Sequence, residues 1–244
     1  MSHREPTAPS TDQGDLLSLL VLGRDQDTGA AMTDQQIHDE VITLALSASA
    51  TTAQSLCWAF HQLGQHPDIA DRIVAEVREV VGDRPPDYDE LTRLDYTGRV
   101  VSELLRLYPS WVLMRRTLGP TTLGRYELPA GAQVLISPIA MHRDPSIYPD
   151  PLRLDPDRWL PERAGQIPRH AFIPFGAGSH QCIGSRFAWT ELVVALGTLL
   201  PRWELRPIPG HRVREKVGVA IQPSSLPMRV VPRTHAHRPP ALAE

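Results

Sequence analysis

The chain has 244 residues, 41% hydrophobic and 22% charged, and its 25 basic and 28 acidic side chains leave a net charge of −3. That composition supports one large folded domain rather than wholesale disorder, and the lack of net positive charge argues against general nucleic-acid binding. Two cysteines, Cys57 and Cys182, exclude a disulfide-stapled scaffold, and 24 prolines, about twice the usual share of roughly 5%, predict many stiff connections.

Residues 1–14 read as a disordered polar leader without the apolar stretch of a secretory signal. Asp15 to Leu22 is a short predicted helix, followed by a Gly/Asp loop over Gly23 to Ala31. Thr33-Asp34-Gln35-Gln36 is a helix start, with Thr33 as N-cap and Gln36 as its box partner. The helix it opens can run to about Gly64. Within it, Val41 to Phe60 carries no charge and has the length of a membrane span. Seven of those residues are hydroxyl or amide residues (Thr43, Ser47, Ser49, Thr51, Thr52, Gln54, Ser55), which lipid would hide poorly. The expectation is therefore a long helix buried inside a soluble, cytoplasmic protein, with no membrane span.

His66-Pro67 opens an amphipathic helix with Ile69, Ile73, Val74, Val77 and Val80 on one face. Tyr88 to Leu94 reads as a short helix or turn, and Tyr96 to Leu107 as a helix stopped by Pro109. Leu113 to Thr122, Arg125 to Leu128 and Gln133 to Ser137 read as strands, turning at Pro129-Ala130-Gly131. Pro145 to Ala177 is a long loop region of the kind that usually serves a function. A last helix spans about Ile183 to Pro201. Arg214 to Val231 reads as a hairpin with Pro223-Ser224-Ser225 at its tip, and residues 234–244 as a disordered tail.

The sharpest chemical signal is Phe175-Gly176-Ala177-Gly178-Ser179-His180-Gln181-Cys182-Ile183-Gly184. Its cysteine follows a Gly-rich loop and precedes a helix. The helix N-terminus and close backbone N–H groups both favour a thiolate, and a thiolate is an axial iron ligand that promotes O–O cleavage. Gly184 would let a flat macrocycle lie against the backbone. A phosphate cradle is a weaker reading, because no Lys-Ser/Thr follows the glycines. A lone cysteine by itself is usually a small buried hydrophobe.

This loop resembles the cysteine-ligand loop of the cytochrome P450 family, and further stretches agree in order and spacing. Glu103-Leu104-Leu105-Arg106 is similar to the family's ExxR. As local physics an i,i+3 ion pair is by default a solvated contact of small worth. The resemblance instead implies a buried structural triad of Glu103, Arg106 and Arg158, the last from Asp155-Pro156-Asp157-Arg158-Trp159. In Pro109-Ser110-Trp111-Val112-Leu113-Met114-Arg115-Arg116 it implies a haem-propionate partner, Arg116 by spacing with Arg115 as the alternative. His180 matches a second propionate partner, and His142-Arg143-Asp144-Pro145 fits a characteristic connection. Phe175, Gly176 and Gly184 would frame haem b, with Cys182 as axial ligand.

Ser47-Ala48-Ser49-Ala50-Thr51-Thr52 aligns with the family's oxygen-side helix. Thr51 matches the catalytic alcohol, whereas Ala50 stands in place of the usual acid and Ala48 in place of the glycine. Water held through Ser47, Ser49 and Thr51 could replace the family's usual proton relay, or the chemistry could be peroxide-driven or other than an oxygenase's. Back-bonding to helix carbonyls is the plainer role for such hydroxyls. Ala48, Trp111, Val112, Leu113 and the hairpin near Ser225-Leu226 are the implied substrate-facing positions.

The expected fold is thus mainly α with small β-sheets, the C-terminal portion of the cytochrome P450 fold, over residues 15–233. A preceding helical half, with its Trp-x-x-x-Arg helix, has no counterpart here. The resemblance implies a monooxygenase that inserts one atom of O2 into a hydrophobic small molecule, and its similarity to bacterial terpene-hydroxylating members points to a terpenoid. Electrons would come from ferredoxin and an NAD(P)H-dependent reductase. The alternative is a non-catalytic remnant, or a subunit needing an N-terminal partner.

Overall fold

A computed structural model describes residues 12–217 and 221–233, so the tail and most of the leader lie outside the described residues. The chain divides into two compact units, residues 1–50 and 51–244.

In the first unit, α1 (Leu16–Leu22) starts where the Asp15 carboxylate accepts the Ser18 N–H at 2.7 Å. This bond holds the Asp15 carboxyl below the usual range. A bridge between Arg24 and Ala31 closes the following loop. Thr33 then caps α2 (Asp34–Gln65): its N–H donates to Gln36 Oε1 at 2.8 Å, and the Gln36 N–H donates back to Thr33 Oγ1 at 3.3 Å. Only the later part of α2 is buried. Val41, Ile42 and Leu46 are exposed, and the buried residues of α2 begin at Thr52.

The second unit is built on three helices, α3 (Pro67–Val80), α4 (Asp95–Leu107) and α7 (Ser185–Leu199), with the end of α2. Ile73, Val77, Val100, Val101, Val193 and Leu196 interlock in its core with Ala59 and Leu63. Each Val, Leu or Ile side chain among them contributes roughly 1.5–3 kcal/mol when fully buried. The first turn of α4 has no side-chain cap of its own. Glu76 of α3 supplies one, accepting the Tyr96 and Thr97 N–H groups at 2.6 and 2.8 Å.

Among the described residues the strands form four two-stranded antiparallel sheets. β1 (Leu113–Arg116) pairs with β4 (Gln133–Ile136), and β2 (Thr121–Leu123) with β3 (Tyr126–Leu128). The predicted strand over 113–122 is therefore two strands. It breaks at Thr117–Pro120, where the Thr117 hydroxyl turns to the Pro129 carbonyl at 2.7 Å. A short helix, α5 (Pro138–His142), follows, and α6 (Pro161–Ala164) interrupts the long loop region.

The expected hairpin over 214–231 is also corrected. β6 (Glu215–Val217) pairs with β7 (Ile221–Pro223), so Pro223-Ser224-Ser225 is not the tip. β8 (Met228–Pro232) pairs instead with β5 (Trp203–Pro207), which the sequence reading missed.

Candidate haem site

A buried charge cluster anchors the region. Glu103 and Arg106 are both fully buried, one turn apart on α4. Arg106 grips the carboxylate through Nε and Nη2, both at 2.8 Å, and its other donors reach the carbonyls of His142 (2.6 Å), Pro151 (2.8 Å) and Arg153 (3.4 Å). All five guanidinium N–H donors thus have acceptors. Glu103 also accepts from Arg158 Nε at 3.3 Å, the Asp155 N–H at 3.1 Å and Trp159 Nε1 at 3.0 Å. A buried ion pair is tolerable when its remaining lone pairs and protons are satisfied in this way. Glu103, Arg106 and Arg158 are therefore brought together, away from solvent. Trp159 is a fourth member that sequence reasoning passed over, although its indole N–H beside Arg158 was the available signal.

His142 of α5 is fully buried against the same cluster. Its Nδ1 lies 3.1 Å from the Arg106 carbonyl, and its Nε2 accepts the Ile173 N–H at 3.0 Å. A carbonyl can only accept and an N–H only donate, so the ring is the neutral Nδ1–H tautomer. Burial pulls its pKa down to about 4.

The cysteine loop follows. Gly176 (φ +77°) and Gly178 (φ +75°) take left-handed conformations that favour glycine. The chain folds back so that the Cys182 N–H donates to the Phe175 carbonyl at 2.9 Å. Cys182 lies in the loop, three residues ahead of the first residue of α7, rather than in the helix's first turn. It is exposed, as are His180 and the large apolar neighbours Ile183 and Phe187, which sequence reasoning did not select. A Cβ at Gly184 would lie 3.9 Å from the Cys182 sulfur, and one at Gly176 would lie 3.8 Å from Leu113. The loop and β1 therefore meet at Gly176.

Strand alternation puts Leu113 and Arg115 on one face of β1, with Met114 and Arg116 on the other. Both arginines are exposed. Arg115 Nη1 donates to the Met114 carbonyl at 2.9 Å. The Arg116 guanidinium lies over Gly131, 3.5 Å from where a Cβ would stand, and makes no hydrogen bond among the described residues. Trp111 is exposed and Val112 half-buried ahead of the strand. Thr51 is half-buried on α2, where its carbonyl accepts from Ser55 Oγ at 3.2 Å. Ala48, on the part of α2 in the first unit, is exposed.

These residues fit a haem group. The donor set pairs an exposed sulfur with guanidinium and imidazole groups suited to carboxylates. Glycines leave the backbone beside the sulfur bare, and Ile183 and Phe187 offer apolar surface that a ligand would cover. No three His, Cys, Asp or Glu side chains among the described residues are grouped to hold a metal ion.

Comparison with known proteins agrees. The sequence pattern of the family "Cytochrome P450" matches residues 1–227. The chain is 46% identical over 222 residues to cyclooctatin synthase of Streptomyces melanosporofaciens, covering 91% of this chain and 48% of that protein. It is 43% identical over 231 residues to cyclooctat-9-en-7-ol 5-monooxygenase of the same organism, covering 94% and 50%. The crystal structure of the cytochrome P450DA haem domain superposes with a TM-score of 0.84 at 32% identity, over 91% of this chain and 50% of that one. The chain thus spans about half the length of the curated relatives it matches. No helix among the described residues is long and apolar enough to cross a membrane. This chain belongs to the cytochrome P450 family, whose members bind haem b.

Proposed function

We propose that residues 15–233 form the haem-binding part of a monooxygenase that inserts one atom of O2 into a hydrophobic small molecule, a terpenoid by the similarity to cyclooctat-9-en-7-ol 5-monooxygenase. The observation that carries this reading is the exposed Cys182 sulfur on bare backbone, its loop pinned by the bond to Phe175. Haem bound there would supply the iron at which O2 is reduced, one atom going to substrate and the other to water.

The protein's own residues have distinct tasks. Cys182 would hold the haem iron through its sulfur. Arg116, Arg115 and His180 neutralise the propionates, while Phe175, Gly176 and Gly184 shape the bed. Glu103, Arg106 and Arg158 brace the scaffold behind the loop. Thr51 would hold a proton-delivering water by its hydroxyl, and Ala50 supplies no acid beside it. Ala48, Trp111, Val112 and Leu113 carry over from the family resemblance as substrate-facing positions. Electrons come from NAD(P)H through a reductase and a ferredoxin, in the cytoplasm.

A second reading is favoured by the exposed Leu16, Leu17, Leu19, Ile42 and Leu46. In it the chain is a remnant, or a subunit that acts with a separate N-terminal polypeptide. One experiment separates the two. The purified chain is mixed with haem, reduced and exposed to CO, with and without a polypeptide matching the rest of the relatives' length. A strongly red-shifted Soret band that Cys182→Ala abolishes supports thiolate ligation. Its appearance only with the added polypeptide supports the subunit, and haem binding in neither mixture supports the remnant.

A further inference from the structure

The last turn of α4 leaves backbone carbonyls without helical partners, as every helix end does. Two consecutive residues of another segment meet two of them. His142 Nδ1–H donates to the Arg106 carbonyl at 3.1 Å, and Arg143 donates to the Leu107 carbonyl through Nη2 at 2.7 Å and Nε at 3.2 Å. The His142 carbonyl in turn accepts from Arg106 Nη1 at 2.6 Å. His142 is therefore fastened to the triad helix from both its ring and its backbone.

The other ring nitrogen faces the cysteine loop. Nε2 accepts the Ile173 N–H, 31 residues away, at 3.0 Å. The Ile173 carbonyl accepts the Gly176 N–H at 3.0 Å, and the Phe175 carbonyl accepts the Cys182 N–H at 2.9 Å. Phe172 packs on the His142 ring at 5.5 Å and on Trp159 at 4.4 Å, and Trp159 donates to Glu103. The Tyr148 ring closes another side at 6.3 Å, its hydroxyl donating to the Ala171 carbonyl at 3.0 Å. The partners that satisfy the two buried nitrogens lie 36 and 31 residues away in opposite directions along the chain, so the ring ties two remote segments together.

We infer that His142 is a positioning residue for the thiolate ligand, clamping the segment that leads into the Cys182 loop onto the end of the triad helix. The inference rests on the haem-thiolate reading, and it concerns Ile173, Gly176 and Cys182 rather than the iron itself. An aromatic ring of similar size at 142 would leave the Arg106 carbonyl and the Ile173 N–H buried without partners. Glutamine carries an acceptor to roughly the reach of Nε2.

The test uses the full chain with His142→Phe and His142→Gln. In the Phe variant the Ile173, Gly176 and Cys182 amides should exchange with solvent about tenfold faster or more, while Val74 and Val101 in the core keep their protection. After haem addition, the share of ferrous–CO absorbance in the red-shifted band should fall. The Gln variant should recover most of both signals. Unchanged exchange at the three loop amides, or equal acceleration of loop and core in both variants, overturns the clamp. If neither variant folds, nitrogen NMR of the unmodified chain decides: protonated Nδ1 with an accepting Nε2 at neutral pH supports the clamp, and the opposite tautomer overturns it. Haem bound without a red-shifted band in the unmodified chain would sink the thiolate reading and leave the exchange result to judge the clamp separately.

Discussion

Trp159 donates its indole N–H to the buried Glu103 carboxylate at 3.0 Å, on the oxygen that Arg106 Nε also holds at 2.8 Å. The carboxylate thereby links the α4 helix to the 3₁₀ turn at Pro156–Trp159 by both charge and a neutral donor. Removing that donor while keeping an aromatic ring isolates its worth. Hydrogen bonds to charged groups contribute about 1.5–3 kcal/mol, so Trp159→Phe should lower unfolding free energy by about 2 kcal/mol. Glu103→Ala should cost more, about 3–5 kcal/mol, because it strands Arg106 as a buried charge. Urea titrations of the three proteins check the order, and equal losses would contradict it.

The two arginines of β1 can be told apart by what already occupies them. Arg115 spends a donor on the Met114 carbonyl, whereas Arg116 makes no hydrogen bond among the described residues. A guanidinium–carboxylate bond lost from a haem propionate is worth about 1.5–3 kcal/mol, or roughly 10- to 100-fold in affinity. Arg116→Ala should weaken haem binding by that amount and Arg115→Ala by less. Haem titration followed by absorbance measures both. A larger loss for Arg115 would place the propionate on the face that Leu113 shares.

How far the sequence revealed this arrangement depended on the reach of each interaction. The start of α2 was legible because Thr33 and Gln36 bond each other within one turn. The apolar stripe of α3 was legible because its period is local, and the buried residues are those expected. The Glu103–Arg158 contact spans 55 residues and came from family resemblance, since an ExxR pair alone reads as a surface contact. His142 and Trp159 were passed over because their partners are 31 to 56 residues away. The β5–β8 pairing is similarly remote, and nothing in Trp203–Pro207 announces its partner. The break after Arg116 did carry a local warning in Gly119-Pro120. The exposure of α2 before Thr52 could not be read from residue types, which specify what a helix could bury and not what covers it.

Stability should fall with acid partly through His142. Burial holds its pKa at about 4 against an ordinary 6.5. The unfolded chain therefore binds a proton first, and the neutral ring's contribution is complete above about pH 6.5. It declines as pH falls toward 4, by on the order of 3 kcal/mol in total. The charged groups around the ring do not reverse the sign. The positive charge of Arg106 also disfavours the imidazolium, and burial pushes the neighbouring Tyr148 phenol up to about 12, so it stays neutral throughout. Unfolding of the unmodified chain should lose more stability between pH 7 and pH 4.5 than unfolding of His142→Gln. Parallel pH profiles would rule the histidine out as the source.

Thr51 offers a hydroxyl without the carboxyl neighbour that would ordinarily stand at Ala50. If that hydroxyl orders the water that carries protons, Thr51→Ala should leave haem binding intact. Electron consumption would then be separated from product formation, with product per NAD(P)H falling by about threefold or more, a modest loss for a group assisting proton transfer. The assay needs the holoenzyme with its redox partners, and peroxide release is the companion measurement. Unchanged coupling would assign the proton path to other water and leave Thr51 a helix residue.

Gly98 sets how closely α4 and α7 approach. A Cβ there would stand 2.8 Å from Trp189 Cζ2 and 3.3 Å from Cη2, closer than the ring can tolerate without moving. Two effects compete in Gly98→Ala. Alanine in a helix interior gains about 1 kcal/mol over glycine, while forcing a methyl into a packed contact costs about 1–3 kcal/mol. Gly98 is buried near the start of α4 and Trp189 packs against the core, so the ring has little room to yield. The clash should win, with a net loss of about 1–2 kcal/mol. A lower urea midpoint with an unchanged slope, and a shift in tryptophan emission, would report it. A higher midpoint would mean that Trp189 can swing aside at no cost, and that the helix pair is looser than its geometry indicates.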